Sequence, residues 1–321
     1  MAARRRVPHR SSTAQPAGRR PVGRCRRRQE LSRARQGERS RPHLGSTPLN
    51  RHLAGLGLGL GLGLGLLALP AAAWGQDAPR FCPTRPSLEG SACTTEPGRV
   101  HVEFSVADWE RDDQPDSRTD TWLGADFVAR LGVGPSTEVQ LGWSPVGYVR
   151  ERDKPDDSVT RQLRSGDMRL AVRQNFRNPD GKGLSFGAEP FVTLPVGRSP
   201  VGAGTWGAGL VLPVTYDLTD SLNIGVTGEA DARPNEDGDG RHFRASGVVA
   251  ASIELTERLN ATIEAEWLRD RDPVDPSSQA LAGLGLQWEL TPTRALYGEA
   301  VAGLNHQSPD MHLYMGMAAL F

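Results

Sequence analysis

From His101 onward, apolar and polar side chains alternate with a period of two. In His101-Val102-Glu103-Phe104-Ser105-Val106 the apolar residues take the even positions and the polar ones the odd. Residues i and i+2 share one face of a strand, so such a stretch is greasy on one side and wet on the other. The pattern then recurs. Leu123, Ala125, Phe127, Ala129 and Leu131 share a face opposite Asp126 and Arg130, and Val139, Leu141 and Trp143 oppose Glu138 and Gln140. Further on, Leu259, Ala261, Ile263, Ala265 and Trp267 oppose Asn260, Thr262, Glu264 and Glu266. The final stretch sets Leu313, Met315, Met317, Ala319 and Phe321 on one side. About twelve strands can be marked this way between Arg99 and Phe321.

The connections between them alternate in length. Short turn signals sit at 134–137, 178–181, 219–221, 256–258 and 291–293, and longer polar loops are expected at 110–121, 150–165, 198–204, 231–241, 269–279 and 306–310. An even strand count with short turns at one end and long loops at the other predicts an all-β, transmembrane, antiparallel up-and-down β-barrel. A soluble sandwich also alternates, but its Greek-key connections would break this rhythm. Trp143, Trp206, Tyr216, Trp267 and Trp288 fall near strand ends on the apolar face, as membrane-interface girdles do. Phe321 closes an alternating strand at the chain end, the form of a C-terminal signal for outer-membrane assembly machinery. Closure itself has a physical reason: in hydrocarbon every backbone N–H and C=O must be paired, and an edgeless sheet achieves that.

The part before the barrel reads differently. Residues 53–75 run LAGLGLGLGLGLGLLALPAAAWG after Arg51 and His52, with a small-x-small site at Ala73-Trp74-Gly75. A basic flank, an apolar core and that site predict a Sec-type signal peptide cleaved before Gln76. A retained helix is the competing reading, weakened because each Gly costs about 1 kcal/mol relative to Ala in a helix. Residues 1–52 form an Arg-rich, low-complexity leader, longer than an ordinary signal needs, and a start codon assigned too far upstream would account for it. Residues 76–98 are then expected to be a periplasmic tail, with Cys82 and Cys93 able to form a disulfide in an oxidising compartment.

Charge sharpens the picture. The first 75 residues hold 15 arginines and two acids, so the rest carries 23 basic against 36 acidic residues. An acidic mature chain lacks the basic footprint of a nucleic-acid binder. With the outer face apolar, the charges must point inward: Glu103, Asp126, Glu138, Asp167, Glu189, Asp217, Glu229, Glu254, Glu264, Glu266, Glu289 and Glu299, answered by Arg130, Arg169, Arg173 and Arg244. That surplus of acids predicts a net-negative, water-filled lumen, since buried charges persist only when paired, and acidic rings favour cations. Phe191, Val211 and Leu268 could add a local apolar patch inside.

At Glu189-Pro190-Phe191-Val192-Thr193-Leu194-Pro195-Val196-Gly197, Trp206-Gly207-Ala208-Gly209-Leu210-Val211-Leu212-Pro213-Val214 and the strand at 222–229, the sequence resembles the "MetA-pathway of phenol degradation" family of outer-membrane transporters. The likeness spans roughly Arg99 to Phe321. It implies a link to uptake of aromatic compounds and supplies no catalytic residues.

Other chemistry is thinly supported. Asn235-Glu236-Asp237-Gly238-Asp239-Gly240 clusters oxygens and glycines but lacks EF-hand spacing and its closing Glu. His101, His242, His306 and His312 are scattered, without a Gly-x-Ser-x-Gly elbow. The expectation is therefore a non-enzyme without cofactor or metal: a passive Gram-negative outer-membrane channel for small solutes, with aromatic or hydrophobic compounds as the candidate class, contacting outer-membrane lipids, lipopolysaccharide and the outer-membrane assembly machinery. A structural or surface-binding barrel with a filled lumen is the alternative, and an outer-membrane lipid-modifying enzyme a distant third.

Overall fold

The computed structural model describes residues 79–88 and 90–321. The Arg-rich leader and the signal segment lie outside the described residues. Fifteen strands, and no helix among the described residues, follow in order: β1 (Val100–Asp113), β2 (Ser117–Gly124), β3 (Phe127–Gly134), β4 (Thr137–Trp143), β5 (Val146–Asp153), β6 (Ser158–Arg164), β7 (Met168–Arg177), β8 (Leu184–Leu194), β9 (Gly207–Thr219), β10 (Leu222–Pro234), β11 (Arg241–Thr256), β12 (Leu259–Asp270), β13 (Ser277–Thr291), β14 (Arg294–Gly303) and β15 (Met311–Leu320). Neighbours pair antiparallel, and β15 returns to β1 from His101↔Leu320 to Arg111↔Met311, which closes the sheet.

Fifteen segments build twelve staves, because three staves are broken in two. The lower part of β1 (residues 100–104) pairs with β3, whereas 108–113 pair with β2. Likewise β4 continues the β3 side and β5 the β2 side, followed by β7 and β6. The breaks fall at one level: a register shift between Ser105 and Ala107, a left-handed Ala125 with φ 59°, and the 144–145 and 165–167 links. Extra residues in paired strands bend the sheet locally. Past these breaks β2, β5 and β6 continue the sheet from the upper part of β1, and β6 does not pair with β8, so they form an extension beyond the closed wall.

Two expectations are corrected by this extension. Segments 110–121 and 150–165, read as loops, are largely strand, with turns only at 114–116 and 154–157. They leave the membrane, so lipid no longer enforces the alternation that marked the other strands. Leu123 does not share a face with Ala125 and Phe127 either, because the break at Ala125 exchanges the two sides: Trp122 pairs with Trp109, and Leu123 with Asp108.

The exposed face is the apolar one. Val249, Ile263, Leu284 and Met315 are each more than half exposed, while Arg130, Glu103 and Glu138 across the wall are almost fully buried. A soluble domain reverses this order, since contiguous exposed apolar surface of that extent marks a membrane or partner interface. The chain is an outer-membrane-type barrel of twelve antiparallel staves.

Candidate functional site

The strands β1, β3, β4, β7 and β8 project a continuous charged ladder into the lumen. Arg130 lies 2.6 Å from Glu103 and 3.7 Å from Glu138; Arg173 lies 3.5 Å from Glu138 and 2.7 Å from Glu189; Arg169 lies 2.6 Å from Glu189. Gln140 donates to both Glu138 and Glu189 at 2.9 Å. Three carboxylates thus meet three guanidiniums. The ladder is neutral, and six of the residues expected on the inner face assemble in it.

Residues 79–98 complete the site, and they are not a tail outside the barrel as expected. Arg80 donates to the carbonyl oxygens of Pro135 and Pro179 in two short turns, which anchors the segment at the turn end. The chain then rises inside. The Cys82 carbonyl accepts from Arg130, the N–H groups of Thr84 and Arg85 donate to Glu103, and the Arg85 guanidinium reaches Asp126 at 2.6 Å and Ser105. Pro86 packs over Gly285, where a Cβ would meet it at 3.0 Å. Ser87 and the Leu88 N–H donate to Glu264 on β12, and Gly90 exchanges hydrogen bonds with Thr227 on β10. The return leg meets Asn175 through the Ala92 carbonyl, Arg173 through the Cys93 carbonyl, and Glu138 through the Thr95 N–H. A Cys82–Cys93 disulfide ties the two legs, with Cα atoms 6.0 Å apart. The segment is a loop laid across the lumen near the turn end.

This arrangement removes the argument from unpaired acids. Glu103, Asp126, Glu138 and Glu264 find partners in main-chain N–H groups, the Thr84 and Ser87 hydroxyls and Arg85 of the loop, none of which has a periodic signature. Glu299 accepts from the Tyr314 hydroxyl and lies beside Glu264 at Gly283. Asp167 instead organises the β8–β9 loop, accepting from the N–H groups of Gly197, Ala203 and Gly204. Asp217 caps the turn-end region through Gly183 and Asn223. Glu254 and Glu289 sit near the turn-end termini of β11 and β13, away from the ladder.

Toward the loop end the lining changes. Glu229 and Glu266 project from mid-strand positions of β10 and β12 and Arg244 from the loop end of β11; all three are partly accessible, Glu266 bonds to Ser246, and Arg244 faces both carboxylates without an ion pair within 4 Å among the described residues. Phe191 and Val211 form a buried apolar cluster with Ala171, and the Arg169 guanidinium stacks 4.0 Å over the Phe191 ring. Leu268 is also buried, on β12.

The family described as "Putative MetA-pathway of phenol degradation" matches residues 84–321. The chain belongs to this family. The match begins at Thr84, so it takes in most of the lumen-crossing loop that the resemblance from Arg99 onward left out. Among solved structures, an outer membrane channel from Pseudomonas putida F1 is 12% identical with a TM-score of 0.58, covering 71% of this chain and 97% of that one. The NanC porin is 11% identical (TM-score 0.43, 69% and 99% covered), and the CymD monoaromatic hydrocarbon channel 7% identical (TM-score 0.39, 70% and 88% covered). No curated protein matches the chain.

Proposed function

We propose that this protein is a passive outer-membrane channel for small solutes, narrowed by its own N-terminal loop. The observation that carries the reading is the trio Glu229, Arg244 and Glu266. These face inward, Glu229 and Glu266 from mid-strand and Arg244 from the loop end of β11; Arg244 lies within electrostatic reach of both carboxylates but outside ion-pair distance, and Glu266 also bonds to Ser246. Charges that face one another across a gap wider than an ion pair are stable when water fills that gap, which supports a hydrated lumen on the loop side of the crossing segment. The family description, with its link to phenol degradation, supports small aromatic solutes. The Phe191–Val211 patch beneath Arg169 offers a ring an apolar face with a cation beside it. Sec-type export through residues 53–75 to a Gram-negative outer membrane, insertion by the assembly machinery through Phe321, and the absence of catalysis belong to the same reading.

A filled structural barrel is the second reading, favoured by the hydrogen bonds that hold the crossing loop to Glu103, Glu138, Thr227 and Glu264. Planar-bilayer recordings on the mature protein and on a variant lacking residues 79–95 separate them. Small conductance that grows on deletion supports the narrowed channel. Silence in both proteins, with correct barrel folding, overturns it in favour of the filled barrel.

A further inference from the structure

The extension formed by β2, β5 and β6 carries its outward side chains in rows. At one level Leu313, Trp109, Trp122, Tyr148 and Leu163 are successive cross-strand partners, with the Trp122 and Tyr148 rings 5.5 Å apart. Two residues further toward the loop end the partners are Met311, Arg111, Asp120, Arg150 and Arg161, and two beyond that Asp113, Arg118, Arg152 and Val159. Leu313 and Met311 share the exposed apolar face with Met315, so these rows lie on the outside of the barrel.

Their height follows from strand length. The outward residues from Phe321 up to Leu313 cover the span of about 9–11 residues that a tilted strand needs to cross hydrocarbon. The Leu313 end of the aromatic row, at Trp109, therefore sits at the outer boundary of the membrane, with Arg111 one step above it at headgroup level; strand tilt carries the rest of the row obliquely along that boundary.

The charge there is unbalanced. Asp120 faces three guanidiniums, Arg111 and Arg118 at 2.9 and 3.1 Å and Arg150 at 3.7 Å. Its own side chain is 3% exposed, against 31–34% for those arginines, so an approaching anion meets cations. Arg152 pairs with the exposed Asp157, and Arg161 has no ion-pair partner among the described residues. Arg150 and Arg161 stand directly opposite one another across β5 and β6. Like charges so placed are destabilising unless an anion lies between them.

We propose that this face binds the phosphate groups of lipopolysaccharide in the outer leaflet, with Arg111, Arg150 and Arg161 holding the phosphates and the acyl chains lying along the apolar wall below the aromatic row. Guanidinium forks match phosphate oxygens in a bidentate geometry that a lysine ammonium does not reproduce. The site is on the outside of the barrel and stands whether or not the lumen conducts.

The test titrates the mature protein in detergent with bisphosphorylated lipid A and with its dephosphorylated counterpart, read by native mass spectrometry. The wild type is expected to prefer the phosphorylated lipid by at least about tenfold, or about 1.4 kcal/mol. The combined Arg111→Gln, Arg150→Gln and Arg161→Gln variant is expected to lose that preference while keeping heat-modifiable migration. Equal preference in wild type and variant overturns the proposal. So does complete competition by inorganic phosphate, which would make the patch a site for free anion. Should the triple variant misfold, Arg161→Gln alone decides the matter, since that side chain has no ion-pair partner among the described residues. A reduced preference supports the site, and an unchanged one overturns it.

Discussion

At the scale of single residues, the inner ladder is where energy is concentrated. Arg130 and Glu103 are both essentially inaccessible and meet at 2.6 Å. Deleting one member of such a pair strands the other charge, which costs about 3–5 kcal/mol, whereas neutralising both costs far less. Arg130→Met is therefore expected to lower the unfolding free energy of the refolded barrel in lipid vesicles, read from urea titration, by that amount, and adding Glu103→Gln should restore part of it. A double variant no better than the single would mean the two charges do not act as a pair. Asp272, in the β12–β13 loop, gives a pH-dependent case. Burial raises its carboxyl pKa, but the N–H groups of Val274, Glu236 and Asp275 and the nearby His242 outweigh that and hold it below the ordinary value. A lowered folded-state pKa stabilises the structure at pH above the unfolded value of about 3.9 and loses that contribution as pH falls through the folded value. The protection of the Glu236, Val274 and Asp275 amides, expressed relative to their intrinsic exchange rate at each pH, is expected to hold at neutral pH and to fall only below about pH 4. Loss of protection already near pH 6 would point to another group.

At the scale of elements, the crossing loop is separable from the wall that holds it. Closing a loop of this length by a disulfide contributes about 3 kcal/mol through the unfolded ensemble of the segment. The staves are held by their own ladder of backbone hydrogen bonds. Cys82→Ser with Cys93→Ser should then loosen the loop without unfolding the barrel. The expected outcome is larger single-channel conductance with unchanged heat-modifiable migration. Conductance equal to wild type would show that hydrogen bonds to Glu103, Glu138 and Glu264 suffice to hold the loop.

At the scale of the molecule, the apolar belt fixes the protein's solvent. Trp206, Trp267 and Trp288 are each more than half exposed on the outer face. In vesicles, brominated acyl chains should quench this tryptophan emission, and Trp267→Phe with Trp288→Phe should remove a large share of the quenchable signal. Insensitivity to brominated lipid would place the belt in water and contradict the membrane reading. Phe321 closes the barrel as well as ending the chain. Its N–H and C=O pair with Val100 at 2.8 and 3.2 Å, so the last residue seals the seam between β15 and β1.

What the sequence determined by itself is the wall. A period of two needs only neighbours in the chain to be read, and lipid outside with charge inside enforces it wherever a strand crosses hydrocarbon. Strand number, turn rhythm, the aromatic ends and the inward direction of Glu103, Arg130, Glu138, Arg173 and Glu189 follow from that one constraint. Three things were decided only by the tertiary structure. The breaks at Ala125, 144–145 and 165–167 exchange faces, and they occur at the top of the wall, where lipid stops enforcing the pattern. The identity of each acid's partner depends on which strands close against one another, a matter of long-range pairing. The crossing loop makes the largest difference: the described residues from 79 to 96 have no periodicity, because their backbone hydrogen bonds go mostly to side chains of the wall around them, and only at Pro97 and Gly98 does the segment bridge to a strand, at Gly132 of β3.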